Sequence, residues 1–558
     1  MKELSFGDYA VFLVYFVIVA AYGLWVYNRK KVVGVSSSKD YFLAEGSLTW
    51  WAIGASLIAS NISAEQFVAM SGNGFTMGLA ISTYEWMAAL TLVIVAVFFI
   101  PVYLKNKIFT MPQFLHQRYN STVAMIMAIF WLLLYVIVNL TSILYLGAIA
   151  IHGISGINFE LCIGLLAVFS IIITLGGMKV IGFTDVIQVF FLILGGLVTT
   201  YIAVTQVAEH YGQQGIVNGL TVMYEKYNDH FHMILKKDNA SYGDVPGLTM
   251  LLGGMWIVNL NYWGCNQYIT QRALGANLKT ARGGILFAAF LKLLMPVIVV
   301  LPGIAAYVLF KEQVFDAASA NSINENHDNA YPVLLNLLPT GVKGLAFAAL
   351  TAAVVASLAG KANSIATIFT LDIYKKKINP EASEKNLVNV GKITVVVAMV
   401  LGVVISPFLG IDKKGGFQFI QEYTGFVSPG IFAMFILGFF WKKASSNAAL
   451  FATIGGFGFS VFFKFLPKFA NLEPLKSTGF SFFNTQSGLW EIPFLDRMGF
   501  VFVICMISMI VISLIDHARG KKTNGLEVDA SMFKTTNSFA VGALLIIGIL
   551  TALYTVFY

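Results

Sequence analysis

W-A-I-G-A-S-L-I-A-S-N-I-S-A-E-Q-F-V-A-M-S, residues Trp51 to Ser71, begins as an apolar membrane helix and turns polar where it should lie deepest in the bilayer. Ser60, Asn61, Ser63, Glu65 and Gln66 fall there, with Gly72 and Gly74 shortly beyond. A carboxylate at the centre of a membrane helix costs roughly 2.5–3.5 kcal/mol on insertion scales, so it needs a partner or a wet cavity. Small and polar residues clustered inside a span also predict that the helix breaks. Freed carbonyls are tolerated at that depth only where they face protein or water, and there they can hold a cation. The plainer alternative is a helix packed by small residues, with Glu65 paired to a neighbour.

The remainder of the 558-residue chain places this stretch in context: 58% of residues are hydrophobic, 11% are charged, and the mean hydropathy is +0.77. Soluble proteins carry about 25% charged residues. The prediction is an all-α polytopic membrane protein, with the lipid bilayer as its surroundings. The net charge of +8 reflects topology and not a nucleic-acid partner, because basic residues sit singly or in short runs between apolar spans. Cys162, Cys265 and Cys505 lie in apolar segments and read as buried small side chains, not a disulfide framework. The first apolar run, Phe6 to Tyr27, is followed by its basic cluster and lacks a small-residue cleavage site. It reads as a retained span and not a signal peptide.

Apolar runs of about 20 residues are long enough to cross the hydrocarbon. About fourteen are predicted: 7–27, 50–70, 78–103, 123–151, 158–177, 180–205, 248–268, 282–309, 342–373, 390–409, 420–441, 446–466, 497–516 and 537–557. The Phe- and Pro-rich stretch between the last two but one leaves room for a re-entrant piece. One set of loops carries Arg29, Lys30, Lys31, Lys39, Lys105, Lys107, Arg118, Arg272, Lys279, Arg282, Lys375–Lys377, Lys442, Lys443, Arg519, Lys521 and Lys522. That Lys/Arg excess places these loops in the cytoplasm of a cell (inner) membrane and both termini outside. The long loops 206–247 and 310–341 then face outward, as solvated connections or as short lids.

Ionisable residues inside the expected spans are Glu65, Glu85, Asp185, Lys292 and Lys361, with Asp372 and Glu422 nearer helix ends. Each is a candidate for function. The span at 248–268 adds V-N-L-N-Y-W-G-C-N-Q-Y, Val258 to Tyr268, a second polar, glycine-bearing interruption. Two interrupted helices, each opening a five-helix block (50–205 and 248–441), fit a five-plus-five inverted repeat with the solute held between the broken helices. Residues 1–49, 206–247 and 442–558 would then be an extra N-terminal helix with its loop, an outer loop and extra C-terminal helices. Gln66, Glu85, Asn259, Lys292 and Gln421 supply donors and acceptors together, and Tyr84, Trp86, Tyr262, Trp263 and Phe417 lie beside them in sequence. A neutral polyol needs that mixture, since each buried hydroxyl donates and accepts while aromatic faces cover its C–H surface. An anionic solute would call for an unpaired arginine, and no arginine falls inside an expected span, Arg282 only marking the edge of one. Alternatively, Glu85 and Lys292 neutralise each other and the aromatics merely pack.

The runs G-A-S-L-I-A-S-N-I-S-A-E-Q-F (54–67), Y-E-W-M (84–87), T-D-V-I-Q-V-F-F (184–191), N-Y-W-G-C-N-Q-Y (261–268) and Q-E-Y-T-G-F-V-S-P-G (421–430) resemble the sodium/solute symporter family. The similarity is greatest to its bacterial sugar-carrying members and runs nearly end to end. It implies the leucine-transporter architecture and symport of a galactose- or glucose-like hexose with Na+ by alternating access. It also implies sugar contacts at Gln66, Glu85, Asn259, Lys292 and Gln421. Tyr262 would be the inner gate, stacked on the sugar ring with Trp263 beside it and steadied by Asn61, and Met70 and Phe417 would close the outer side. Sodium would be held by the carbonyls of Ala59, Ile62 and Ala353 and the hydroxyl of Ser357.

Three departures from the family pattern stand out. Ala356–Ser357 replaces a pair of serines, Ala88 replaces a serine near the sugar, and Lys361 stands where sugar-carrying members have an apolar residue. Ser357 and Lys361 are i,i+4 neighbours on one helix face. Two expectations follow: the Lys361 ammonium pairs with Asp185 and stands in for sodium, giving proton-coupled or uncoupled transport, or it snorkels to the cytoplasmic end of its helix. An intramembrane enzyme is disfavoured, since none of the seven histidines lies well inside a span. Another solute on the same fold (a polyol, an amino acid or an organic anion) is the remaining alternative. No oligomeric state is assigned.

Overall fold

In hydrocarbon every backbone N–H and C=O must find a partner within its own segment, so long apolar runs wind into helices. Helices dominate the computed structural model, which describes residues 4–28, 41–42, 48–408 and 416–558. Arg29, Lys30, Lys31 and Lys39 lie outside the described residues, as does residue 409 at the end of one expected span. Among the described residues, ten helices are long and apolar enough to cross a membrane, or eleven if Gly416–Gly425 and Ser428–Phe440, bent by 51°, form one span. That is fewer than the fourteen expected. The other three expected spans fall on shorter or interrupted elements: Trp50–Asn61 has 12 residues, Phe159–Thr174 has 16, and the run at 248–268 is divided into Gly254–Gly264 and Gln267–Leu274.

Burial separates centre from periphery. In Val342–Ile378, 89% of the most apolar window is buried inside the protein, and in Glu65–Lys105 it is 72%. The figure is only 17% for Asn537–Val556 and 22% for Phe6–Val26, whose apolar faces are left to lipid. Small residues allow the central helices to approach one another closely. Trp50–Asn61 lies against Leu278–Lys311, where a Cβ on Gly54 would stand 2.6 Å from the carbonyl oxygen of Gly284. A Cβ on Gly303 would stand 2.1 Å from Ser71 O, so no larger residue fits where this helix crosses the continuation of the broken one.

The two long connections are structured. Residues 206–247 contain the helix Ile216–Lys226, and 310–341 contain Ala317–Glu325 and Ala330–Leu335. The Phe- and Pro-rich stretch holds short 3₁₀ turns and a small antiparallel hairpin, Phe482–Asn484 with Leu489–Glu491, not a re-entrant helix.

Candidate functional site

The break in the first polar helix has a local cause. Trp50–Asn61 stops at Ile62, whose backbone is extended (φ −83°, ψ 117°). Ser63 N–H, which a continuing helix would give to Ala59 O, donates instead to Gln66 Oε1 at 3.0 Å, and Ser63 Oγ accepts from Glu65 N–H at 3.2 Å. Ser63-Ala64-Glu65-Gln66 is therefore a capping box that starts a new helix in mid-membrane. The second interruption, at Cys265–Asn266, separates Gly254–Gly264 from Gln267–Leu274.

Both interrupted helices line one cavity. Gln66, Glu85, Asn259, Lys292 and Gln421 all line it, as do Asn61, Tyr262, Trp263, Phe417, Ala88 and Lys361. Met70 is fully buried and is not among the lining residues. The capping bond occupies Gln66 Oε1, which leaves the amide N–H groups to the cavity. Asn259 does the reverse: its Nδ2 donates to Met255 O at 3.1 Å, leaving the carbonyl oxygen as an acceptor.

Two lysine–glutamate pairs balance the charge of the cavity. Lys292 Nζ donates to Glu85 Oε2 and to Asn61 Oδ1, and lies 5.2 Å from the centre of the Trp263 ring. Lys361 Nζ lies 3.6 Å from Glu65 Oε1 and 5.1 Å from the Tyr268 ring. Asn61 also donates through Nδ2 to Tyr262 OH at 2.9 Å, and Tyr262 OH accepts from Tyr268 OH. On the opposite wall Tyr84 and Phe417 meet edge to face, 5.0 Å between ring centres.

The geometry corrects both the partner and the position expected for Lys361. Asp185 is not its partner: Asp185 Oδ2 accepts from Ser56 Oγ, which itself accepts from Arg272 Nε at 2.8 Å. Nor does Lys361 snorkel, being only 3% exposed within the protein. Arg272 is a further correction, since it is no loop residue. It is 1% exposed on Gln267–Leu274, where its guanidinium also donates to Tyr268 O. The two charges farther out are paired outside the cavity: Glu422 with Lys464 and, at 2.8 Å, Arg497; Asp372 with Lys376 at 2.7 Å.

Residues that sequence reasoning missed complete the walls. Asn266, in the second break, and Tyr268, just past it, line the cavity, and Tyr135 donates to Asn266 Oδ1. Asn261 Nδ2 donates to Ser428 Oγ at 3.1 Å across to the bent pair. The polar run 261–268 was in view, but the bend after Gly425 was not, although Pro429 in the first turn of Ser428–Phe440 announces a helix start.

Beneath the first break, Ser357 Oγ donates to Ser60 O at 3.0 Å, joining Val342–Ile378 to the end of Trp50–Asn61. Ser60 Oγ is buried there without a hydrogen-bond partner. Neutral hard oxygens of this kind, one of them unsatisfied, fit a monovalent hard cation; among the described residues no cluster of three or more His, Cys, Asp or Glu side chains suits a transition metal.

Comparison with known proteins agrees with this arrangement. The model of the sodium:solute symporter family matches residues 41–456. The chain is 46% identical to a sodium/glucose cotransporter of Vibrio parahaemolyticus, over 100% of this chain and 99% of that protein. It is 34% identical to sodium/myo-inositol cotransporter 2 of Oryctolagus cuniculus, over 85% of this chain and 72% of that one. A sodium-coupled sialic acid symporter, solved in a substrate-bound outward-open state, shares the fold with a TM-score of 0.75 at 21% identity, over 92% of this chain and 98% of that one. The family match spans most of the sequence and the similarity to the Vibrio cotransporter runs from end to end, so this chain belongs to the sodium:solute symporter family, a sodium-coupled solute transporter and not an enzyme.

Proposed function

We propose that the protein imports a neutral, polyhydroxylated solute, a galactose- or glucose-like hexose, together with sodium by alternating access. The observation that carries this reading is the cavity itself: its polar wall combines amide donors from Gln66, an amide acceptor from Asn259 and two lysine–glutamate pairs of zero net charge. A hydroxyl group both donates and accepts and brings no charge, so it matches that wall; a carboxylate would leave one of the pairs unbalanced. Arg272, the buried guanidinium an anion would want, is not among the lining residues. The names of the glucose and myo-inositol cotransporters among the relatives point the same way.

In this reading Gln66, Glu85, Asn259, Lys292 and Gln421 bind the sugar. Tyr262, steadied by Asn61 and flanked by Trp263, is the inner gate, and Phe417 with Met70 closes the outer side. Sodium is held by the carbonyls of Ala59, Ile62 and Ala353 and by Ser357 Oγ, and Ser60 Oγ can supply the hydroxyl that Ala356 lacks. Residues 50–205 and 248–441 act as inverted halves that rock about the two breaks. The cytoplasmic side of the inner membrane faces the basic loops, with both termini outside.

The test is protection of an Ala88→Cys variant, at a lining position that makes no assigned solute contact, from a maleimide reagent by a panel of solutes. Hexoses and inositol are expected to slow labelling with sodium present, and an amino acid or a sialic acid is not. Protection by the carboxylated solutes alone contradicts the assignment.

A further inference from the structure

The two buried pairs in the cavity are built differently. Lys292 is held by hydrogen bonds to both Glu85 and Asn61, whereas Lys361 stands 3.6 Å from Glu65 Oε1, an atom buried without a hydrogen-bond donor. The looser pair also lies at a seam. Glu65 follows directly on the break at 62–64, and Lys361 is one turn beyond Ser357, whose hydroxyl is bonded to Ser60 O on the other side of that break. The remaining charges nearby, Asp185 and Arg272, are engaged with each other through Ser56. Glu65 is thus the only carboxylate paired with Lys361 among the described residues, and it begins the segment that follows the opened backbone. An ammonium group tethered beside it offsets the attraction of its charge for a cation, and in a medium of low dielectric the offset is large.

We propose that Lys361 is a tethered competitor of the transported sodium ion. It neutralises Glu65 while the cation site is empty, and sodium binds as the Glu65–Lys361 contact gives way. Sodium affinity is thereby set low, and the contact that yields bridges the broken helix and Val342–Ile378. The inference rests on the cation site proposed above, and its test needs no sugar.

The experiment is a sodium titration of the purified protein without solute, at constant ionic strength with choline as the replacement ion, read as the rise in melting temperature. Lys361→Met is expected to lower the half-saturating sodium concentration at least tenfold, and Lys361→Arg to stay within threefold of the wild type. Should Lys361→Met fail to fold with Glu65 unpaired, Glu65→Gln/Lys361→Met removes both charges and is expected to tighten sodium binding at least threefold. The proposal is overturned if removing the lysine shifts half-saturation less than twofold in the variants that fold, if Lys361→Arg behaves like Lys361→Met, or if sodium stabilises none of the proteins. A wrong solute assignment changes none of these readings and would appear only in the labelling experiment with Ala88→Cys.

Discussion

Glu85 and Lys292 show what a single residue can contribute in this interior. Each would be prohibitive alone, but together with Asn61 they form a hydrogen-bonded unit that also faces the cavity. Removing one partner leaves an uncompensated buried charge, which typically costs about 3–5 kcal/mol, while replacing both can be nearly neutral. We therefore expect Glu85→Gln and Lys292→Met each to lower the melting temperature sharply and Glu85→Gln/Lys292→Met to recover most of it, while all three lose solute binding at least tenfold. A double variant no more stable than the singles would contradict the pairing. Other buried cations serve the backbone instead. Arg118 donates from Nε to Gly438 O at 2.7 Å, from Nη1 to Ala444 O at 3.0 Å and from Nη2 to Trp441 O at 2.8 Å, closing carbonyls that the end of Ser428–Phe440 leaves open. Arg282 donates to Ala96 O, within the π-helical turn Val95–Phe99, and to Met532 O. In sequence Arg118, Arg272 and Arg282 look like ordinary positive-inside residues; only the fold reveals that their guanidinium groups donate to buried backbone carbonyls and, for Arg272, to the Ser56 hydroxyl.

At the scale of elements, legibility follows how strongly a residue type conflicts with its surroundings. The breaks at 62–64 and 265–266 could be read because serine, asparagine and glutamate in a span are costly and turn-forming. The bend between Gly416–Gly425 and Ser428–Phe440 falls inside the expected span 420–441 and is not evident there, since its flanks are apolar and Pro429 is harmless in a first turn. The partner of Lys361 was misassigned for a related reason: helical spacing puts Ser357 and Lys361 on one face but says nothing about which acid on another helix meets them. A second helix contact lies outside the spans. Asp328, beside the continuation of the broken helix at Gly72, accepts from Gly416 N–H at 2.9 Å and so pins the helix that carries Phe417. Burial pushes its carboxyl up from 3.8 to about 6. A folded-state value above the unfolded one means that protonation stabilises the fold fully below about pH 4, and that this contribution is lost as pH rises through about 6. From pH 7.5 down to 5, the wild type should therefore gain about 1 kcal/mol relative to Asp328→Asn, seen as a widening gap in melting temperature. Parallel pH profiles for the two proteins would exclude a buried titrating Asp328.

For the whole molecule, the central feature is a polar cavity without net charge, set between two interrupted helices and reached by Lys361 from Val342–Ile378, the most buried of the candidate spans. The periphery, Phe6–Val26 and Asn537–Val556 among others, leaves its apolar faces to lipid and contributes little to the site. Composition sufficed to identify the membrane and the helical class, and the motifs in the interrupted helices identified the family. The number of crossings was less legible, because broken and short helices do not satisfy a simple length and apolarity rule. Coupling between a neutral solute and sodium through this cavity is the central claim. The most direct measurement is uptake of labelled galactose and glucose into proteoliposomes, with an inward sodium gradient or with choline in its place, for the wild type and for Glu85→Gln/Lys292→Met. The account predicts accumulation above the external concentration only for the wild type with the sodium gradient; equal uptake in sodium and choline, or undiminished uptake by the variant, would contradict it.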